Sequence, residues 1–192
     1  MGNLKMFEIR WHGRGGMGAV TAADLTASAA IKAGFYALAF PEFGAERRGA
    51  PVTAYTRIDE RVIYDRTPIT NPDAIVVLDP FMITSPRILA GIKEGGYLIA
   101  NTSKDPAEVL DQLSLRRLKV TTATVDATEI AMQVFKQPIV NTAMIGALIG
   151  VTNIVPLEEV LSVVRERFPE RLAEPNVRLI NESYKSVKVV RP

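Results

Sequence analysis

The stretch His12-Gly13-Arg14-Gly15-Gly16-Met17-Gly18 decides how this chain is read. Before it, residues 6–11 (MFEIRW) alternate apolar and polar side chains, the period of a β-strand. After it, residues 19–33 (AVTAADLTASAAIKA) are rich in alanine and hold neither Gly nor Pro, which predicts a helix. Its small side chains favour close packing on a sheet, and Gly34 is placed to end it. The loop therefore joins a strand to a helix, and Gly13, Gly15 and Gly18 fit the spacing G-x-G-x-x-G. Glycines here, Gly16 included, permit a tight turn and a close approach of backbone to ligand, and they leave helix-terminal N–H groups free to hold an anion. Arg14 adds a positive charge. Three readings stay open from these residues alone: the pyrophosphate of a nicotinamide dinucleotide, another anion, or a turn that serves only helix–sheet packing. A dinucleotide site also wants an acid at the end of the second strand. Glu42 is near that place, but Pro41 precedes it and Arg47 and Arg48 follow.

Working outward, residues 36–40, 74–78, 97–100 and 119–125 read as strands. Residues 52–58 alternate, and 62–64 follow the charged turn 59–61, which predicts an antiparallel hairpin. Helices are expected over 84–93, 106–113, 128–135 and 141–151, the last with Asn141 as N-cap. Two more are expected, one opening at Pro156 and one over 175–187. Strands alternating with helices predict an α/β fold: a three-layer, Rossmann-like, mainly parallel sheet flanked by helices, with the antiparallel hairpin at one edge. No internal repeat or linker divides the chain, so residues 1–192 are expected to form a single domain.

Composition narrows the chemistry. There is no cysteine, which excludes disulfides and thiolate-held iron–sulfur clusters within this chain. His12 is the only histidine, so zinc sites built on His and Cys are excluded as well. A Ser-His-Asp triad would have to use this one residue, at a strand end beside glycines. Net charge is +2 with the signs interspersed, which gives no nucleic-acid footprint. No apolar run approaches the roughly 20 residues that span a bilayer, and residues 1–5 are too short and polar for a signal peptide. A cytoplasmic protein with no membrane contact is expected.

The second concentration of signals is Phe43-Gly44-Ala45-Glu46-Arg47-Arg48-Gly49-Ala50-Pro51. Arginine forks suit carboxylates and phosphates, and Glu46 is placed to orient one of them. The loop follows a strand and should lie near the glycine loop; a ligand or interface contact and a solvated charged loop are both open. Asp79, at the end of a core strand, either binds a ligand or satisfies turn amides.

Taken together, residues 12–18 (HGRGGMG), 43–52 (FGAERRGAPV) and 141–147 (NTAMIGA) resemble, in order and over nearly the whole chain, the gamma subunit or fused gamma domain of pyruvate and related 2-oxoacid:ferredoxin oxidoreductases. Met17 departs from the pattern, since many members carry Gln there. The resemblance implies a multi-subunit enzyme that decarboxylates a 2-oxoacid on thiamine diphosphate, passes electrons through iron–sulfur clusters to ferredoxin and forms an acyl-CoA. Thiamine diphosphate, Mg and the clusters would then belong to partner subunits alpha, beta and delta, with CoA as co-substrate. No catalytic residue carries over. Gly13, Arg14, Gly15, Gly16 and Gly18, with Glu46, Arg47 and Arg48, are the candidate contacts with CoA phosphates or a partner subunit. Pyruvate is the first choice of substrate, with branched-chain 2-oxoacids, 2-oxoglutarate and indolepyruvate as alternatives. A free-standing NAD(P)-binding oxidoreductase and a purely structural subunit are the alternatives of other classes.

Overall fold

A computed structural model describes residues 6–42 and 49–191. The strands are β1 (Phe7–Arg14), β2 (Tyr36–Pro41), β3 (Pro51–Asp59), β4 (Ala74–Val77), β5 (Tyr97–Asn101), β6 (Thr121–Val125) and β7 (Lys188–Val190). The helices are α1 (Ala19–Lys32), α2 (Pro86–Leu89), α3 (Pro106–Gln112), α4 (Ala127–Phe135), α5 (Asn141–Thr152), α6 (Leu157–Arg167) and α7 (Glu170–Ser186). The strands form one sheet in the order β2-β3-β1-β4-β5-β6-β7.

The sheet is mixed. Strands β1, β4, β5 and β6 are parallel neighbours. Antiparallel pairings join β1 to β3, β3 to β2, and β6 to β7. The expected mainly parallel sheet is thus corrected to a parallel centre with antiparallel flanks. The expected hairpin is corrected too. Residues 62–64 form no strand, and Val62 and Tyr64 are exposed. Strand β3 finds its partners in β2 and β1 instead, where Ala54, Thr56 and Ile58 are buried.

Alternation along β1 sorts its side chains to the two faces. Ile9 and Trp11 join the larger core, with α1, α5, α6 and α7. The α1 alanines Ala19, Ala22, Ala23, Ala29 and Ala30 are all buried there, as their size predicts. The Trp11 indole donates to Thr56 Oγ1 at 3.0 Å, and that hydroxyl donates to the Ala23 carbonyl at 3.1 Å, so the buried polar atoms are satisfied. On the opposite face, Ile75, Val77, Leu98 and Ala100 pack under Met82, Ile88, Val109 and Leu110.

Helix boundaries differ from the expected ones for local reasons. Only α2 forms within 84–93, because Gly91 at φ +76° and the turn after it break the run. Helix α7 starts at Glu170, so Pro175 lies in its second turn, beyond the first four N–H groups, and its missing N–H removes one intrahelical hydrogen bond. Val140, not Asn141, is the N-cap residue of α5, and Asn141 is already helical.

Helix α5 is buried along nearly its whole length and crosses α7 closely at Gly146. A Cβ on Gly146 would lie 2.3 Å from the Ile180 carbonyl oxygen, which is backbone and cannot swing away. Alanine adds about 1 kcal/mol of helix propensity, but overpacking costs about 1–3 kcal/mol. Gly146→Ala is therefore expected to lower stability by about 1 kcal/mol net. Urea unfolding checks this, and a raised midpoint would show that the helix pair can yield.

Candidate functional site

Strand β1 runs further than its alternating pattern, through Gly13 and Arg14, because both still pair with β3. The chain then turns: Met17 N–H donates to Arg14 O at 2.9 Å, with Gly16 at φ +96°. Gly18 follows at φ +81° as the N-cap residue of α1, with no side-chain cap. The first N–H groups of that helix thus have no partner from a cap, and they lie at the carboxyl end of the parallel strands. The order of the sheet reverses here: β1 is followed by α1 and β2 on one side, and β4 lies on the other. This is where open α/β sheets form a crevice.

Two groups fill part of that crevice. Arg14 Nε donates to Asp79 Oδ2 at 2.5 Å, and its Nη1 to the Gly49 carbonyl at 3.2 Å. Asp79 is almost fully buried and also accepts the Phe81 N–H at 3.0 Å. The turn reading of Asp79 holds, and Arg14 is a paired charge rather than a free one. Met17 packs against the large core. Gly18 meets Asn141: a Cβ there would sit 2.7 Å from Asn141 Nδ2. Asn141 Oδ1 accepts the Thr142 N–H at 3.0 Å, and Thr142 in turn donates to Asn176.

The glycine loop and the end of the arginine loop are tied by backbone. Gly15 N–H donates to Ala50 O at 2.8 Å, and Gly49 N–H to Gly15 O at 3.1 Å. Glu46, Arg47 and Arg48 lie outside the described residues. Among the site residues expected from sequence, the structure thus brings Gly13, Arg14, Gly15, Gly16 and Gly18 together. Glu42 does not take the place of a ribose-binding acid. The antiparallel β3 lies between β2 and β1, and Glu42 is hydrogen-bonded to the side chain of Tyr55.

The other face of β1 holds groups that alternation alone assigns to solvent. Arg10 is buried, and its Nε donates to His12 Nε2 at 3.0 Å. Its Nη2 donates to the carbonyls of Ile88 and Ala90, both at 2.7 Å, and its Nη1 to that of Ile69 at 3.3 Å. Burial, and secondarily the Arg10 charge, push the His12 pKa down to about 3. His12 is neutral, with its proton on Nδ1. Tyr55 is pushed up to about 12, by burial first and then by Glu42. Among the described residues no group of three or more His, Cys, Asp or Glu side chains is placed to hold a metal ion, and no helix is long and apolar enough to cross a membrane.

A mixed sheet flanked by helices, with a glycine turn at its order reversal, defines an α/β protein with one elaborated end. Comparison makes this specific. The model of the pyruvate ferredoxin/flavodoxin oxidoreductase family matches residues 8–186, and the chain belongs to that family. It is 49% identical over 184 residues to the pyruvate/ketoisovalerate oxidoreductases common subunit gamma of Thermococcus kodakarensis, covering 96% of this chain and 98% of that one. It is 41% identical over 186 residues to the pyruvate synthase subunit PorC of Methanothermobacter thermautotrophicus, covering 97% and 98%. The crystal structure of the pyruvate oxidoreductase subunit PORC of Thermotoga maritima superposes with a TM-score of 0.85 at 43% identity, over 97% of this chain and 99% of that one.

His12 gives a stability signature. Its folded pKa is depressed below the ordinary 6.5, so the folded state refuses a proton that the unfolded chain accepts. The contribution is fully present above pH 6.5 and is lost as pH falls toward 3. Because no other histidine exists, stability is expected to fall by about 2 kcal/mol between pH 7 and pH 5. Denaturant unfolding at both pH values measures this. His12→Gln should flatten the slope; an unchanged slope in that variant would assign it elsewhere.

Proposed function

We propose that this gamma-type chain, acting as one domain over residues 1–192, completes a 2-oxoacid:ferredoxin oxidoreductase whose first substrate is pyruvate. The assembly would oxidatively decarboxylate the 2-oxoacid with CoA, giving an acyl-CoA and CO₂ and reducing ferredoxin. We read the fold in the same terms: a Rossmann-like parallel block, β1, β4, β5 and β6, with the β2–β3 pair as an edge hairpin. The chain's own residues do not fit the redox groups. It has no cysteine and one histidine, and that histidine already accepts a hydrogen bond from Arg10. Thiamine diphosphate, Mg and the iron–sulfur clusters are therefore assigned to partner subunits alpha, beta and delta, in a cytoplasmic complex.

For the gamma chain we assign CoA phosphates, or the partner surface beside them, to the glycine turn Gly13–Gly18 with Glu46, Arg47 and Arg48. One observation carries this. The hydrogen bonds between Gly15 and Gly49–Ala50 hold the end of the arginine loop against the glycine turn. Uncapped helix N–H groups and arginine forks are donors suited to phosphate oxygens. The chain would thus bind and orient the co-substrate while the chemistry proceeds on other subunits.

A second reading concerns partner choice. The name of the Thermococcus relative describes a subunit common to pyruvate and ketoisovalerate enzymes. A shared gamma chain predicts that affinity purification from the source cells recovers two sets of partner subunits, one active on each oxoacid. A single set would assign the chain to one enzyme. In the assembled enzyme, Arg47→Ala with Arg48→Ala is expected to raise the KM for CoA about tenfold or more and to leave kcat nearly unchanged. An unchanged KM with assembly intact would remove CoA from this site.

A further inference from the structure

The two edges of the sheet are built differently. Strand β7, at one end of the order, is three residues long, carries Lys188 and is followed by Arg191. Short length and charge are common means of keeping an edge from pairing. Strand β2, at the other end, is six residues long and reads Tyr36-Ala37-Leu38-Ala39-Phe40-Pro41, without a charge. Tyr36 is 49% exposed and the other five are half-buried. Ala37 and Ala39 pack against the larger core. Tyr36, Leu38 and Phe40 lie on the opposite face, which holds a cleft of about 670 Å³ between β1, β3 and the segments 68–70 and 82–88. Phe40 is set there by the Tyr55 ring, 5.1 Å away between centroids. Nothing in the reading above uses the outer edge of β2.

The ladder with β3 shows what that edge offers. Glu42 N–H donates to Thr53 O at 2.9 Å, and the register continues without a bulge from Pro41 opposite Ala54 to Tyr36 opposite Asp59. Alternate residues of an antiparallel strand bond to the same neighbour. Phe40, Leu38 and Tyr36 therefore spend their backbone groups on β3, as Glu42 does. Ala37 and Ala39 turn both N–H and C=O outward, where no described residue pairs with them. This short block of donors is closed at both ends. Pro41 has no N–H, and the Phe35 N–H is taken by Ala30 O at 3.0 Å.

From this pattern we propose that β2 pairs antiparallel with β2 of a second copy of this chain, about a two-fold axis at Leu38. In that register Ala37 stands opposite Ala39 of the other copy, and Ala39 opposite Ala37. All the outward N–H and C=O groups of these alanines then satisfy one another. The pairs between them are of the non-hydrogen-bonded kind, in which side chains come closest: Leu38 meets Leu38, and each Tyr36 meets a Phe40. A shift of two residues either way loses this match. One shift sets Ala39 opposite Phe35, whose N–H is spent; the other sets Ala37 opposite Pro41, which has none. Each leaves an alanine carbonyl without a donor. The edge is thus complementary to itself, which an isologous contact requires, and the lack of charge removes repulsion between copies. The pairing uses no residue of the glycine turn, so its failure leaves the CoA assignment standing.

The full-length chain tests this in solution. Its mass, followed by sedimentation equilibrium against concentration, should rise from monomer to dimer with half-association at or below about 1 mM. Amide exchange read by NMR should slow at Ala37 and Ala39 as the dimer fills, while Leu38 and Phe40, already bonded to β3, change little. Leu38→Glu puts an acid beside Arg57 in the same chain and against its own copy across the axis. It should keep the fold and weaken the dimer about tenfold or more. A chain that is still monomeric at about 1 mM overturns the proposal. So does a dimer in which Ala37 and Ala39 exchange freely, or one that Leu38→Glu leaves unchanged. Protection of those two amides only in the assembled enzyme would assign the edge to a strand of another subunit, and the pairing of copies would fall with it.

Discussion

Gly13 stands opposite Val52 and Arg14 opposite Pro51 at the end of an antiparallel ladder that begins with Phe7 opposite Ile58. Because β1 leaves this ladder where β3 enters it, the glycine turn and the arginine loop emerge from one end of the sheet. Register governs what each face contains. A slip of one residue would turn Trp11 and Ile9 toward the cleft and drive Arg10 and His12 into the alanine face of α1. Burying a guanidinium there, without the carbonyls of Ile69, Ile88 and Ala90, would cost far more than any loop rearrangement could recover. The ladder thus fixes the turn, the crevice and the cleft together. Strand β1 is locked again on its other side by β4, where Leu78 N–H donates to His12 O at 2.8 Å.

Two buried arginines on this face are handled by different physics. Arg57, beside β1 at its start, faces carboxylates: its Nε donates to Glu8 at 2.9 Å, and Asp65 lies 3.3 Å from its Nη2. The Phe40 ring, 5.6 Å from the guanidinium carbon, covers it. Among the described residues Arg10 has no carboxylate in direct contact, and it is held by three carbonyls and an imidazole nitrogen. Those carbonyls belong to the loop around Ile69, to the short helix α2 at Ile88 and to Ala90 just past its end. Arg10 therefore acts as the post to which the cleft walls are tied. Carbonyl dipoles stabilise a charge without cancelling it, so among the described residues the cleft floor at Arg10 stays positive where the Arg57 end of the strand does not.

Much of this was legible in the sequence, for identifiable reasons. The period of two along residues 6–11, the unbroken alanine run after Gly18 and the apolar run at 74–78 each report a local cause, and each element formed where expected. The hairpin failed because a short run after a charged turn, 62–64, says nothing about a partner; Val62 and Tyr64 found no face to cover. Strand β3 instead inserted between β1 and β2, a choice made by tertiary pairing across a long connection. Arg10 and His12 were missed as site residues because a polar side chain on an alternating strand reads as solvent-facing. No local pattern announces that 82–88 will fold over it. Asn141 was recognised as capping material and ended one residue inside the helix, where its amide serves the next N–H.

The three segments that carried the family resemblance are far apart in sequence and touch in space. Gly15 bonds to Gly49 and Ala50, and Gly18 lies against Asn141. This changes what the glycines can be taken to mean. Gly18 needs a positive φ, and it also has no room for a Cβ beside the Asn141 amide, so packing alone accounts for it. Gly16 is different: it has a positive φ, yet a Cβ there would meet nothing within 4 Å. Packing therefore explains the end of the motif that faces α5, and leaves open space at the end that faces solvent. A ligand, if the turn holds one, has to approach over Gly16 and the first amides of α1. That side is the one from which the arginine loop departs.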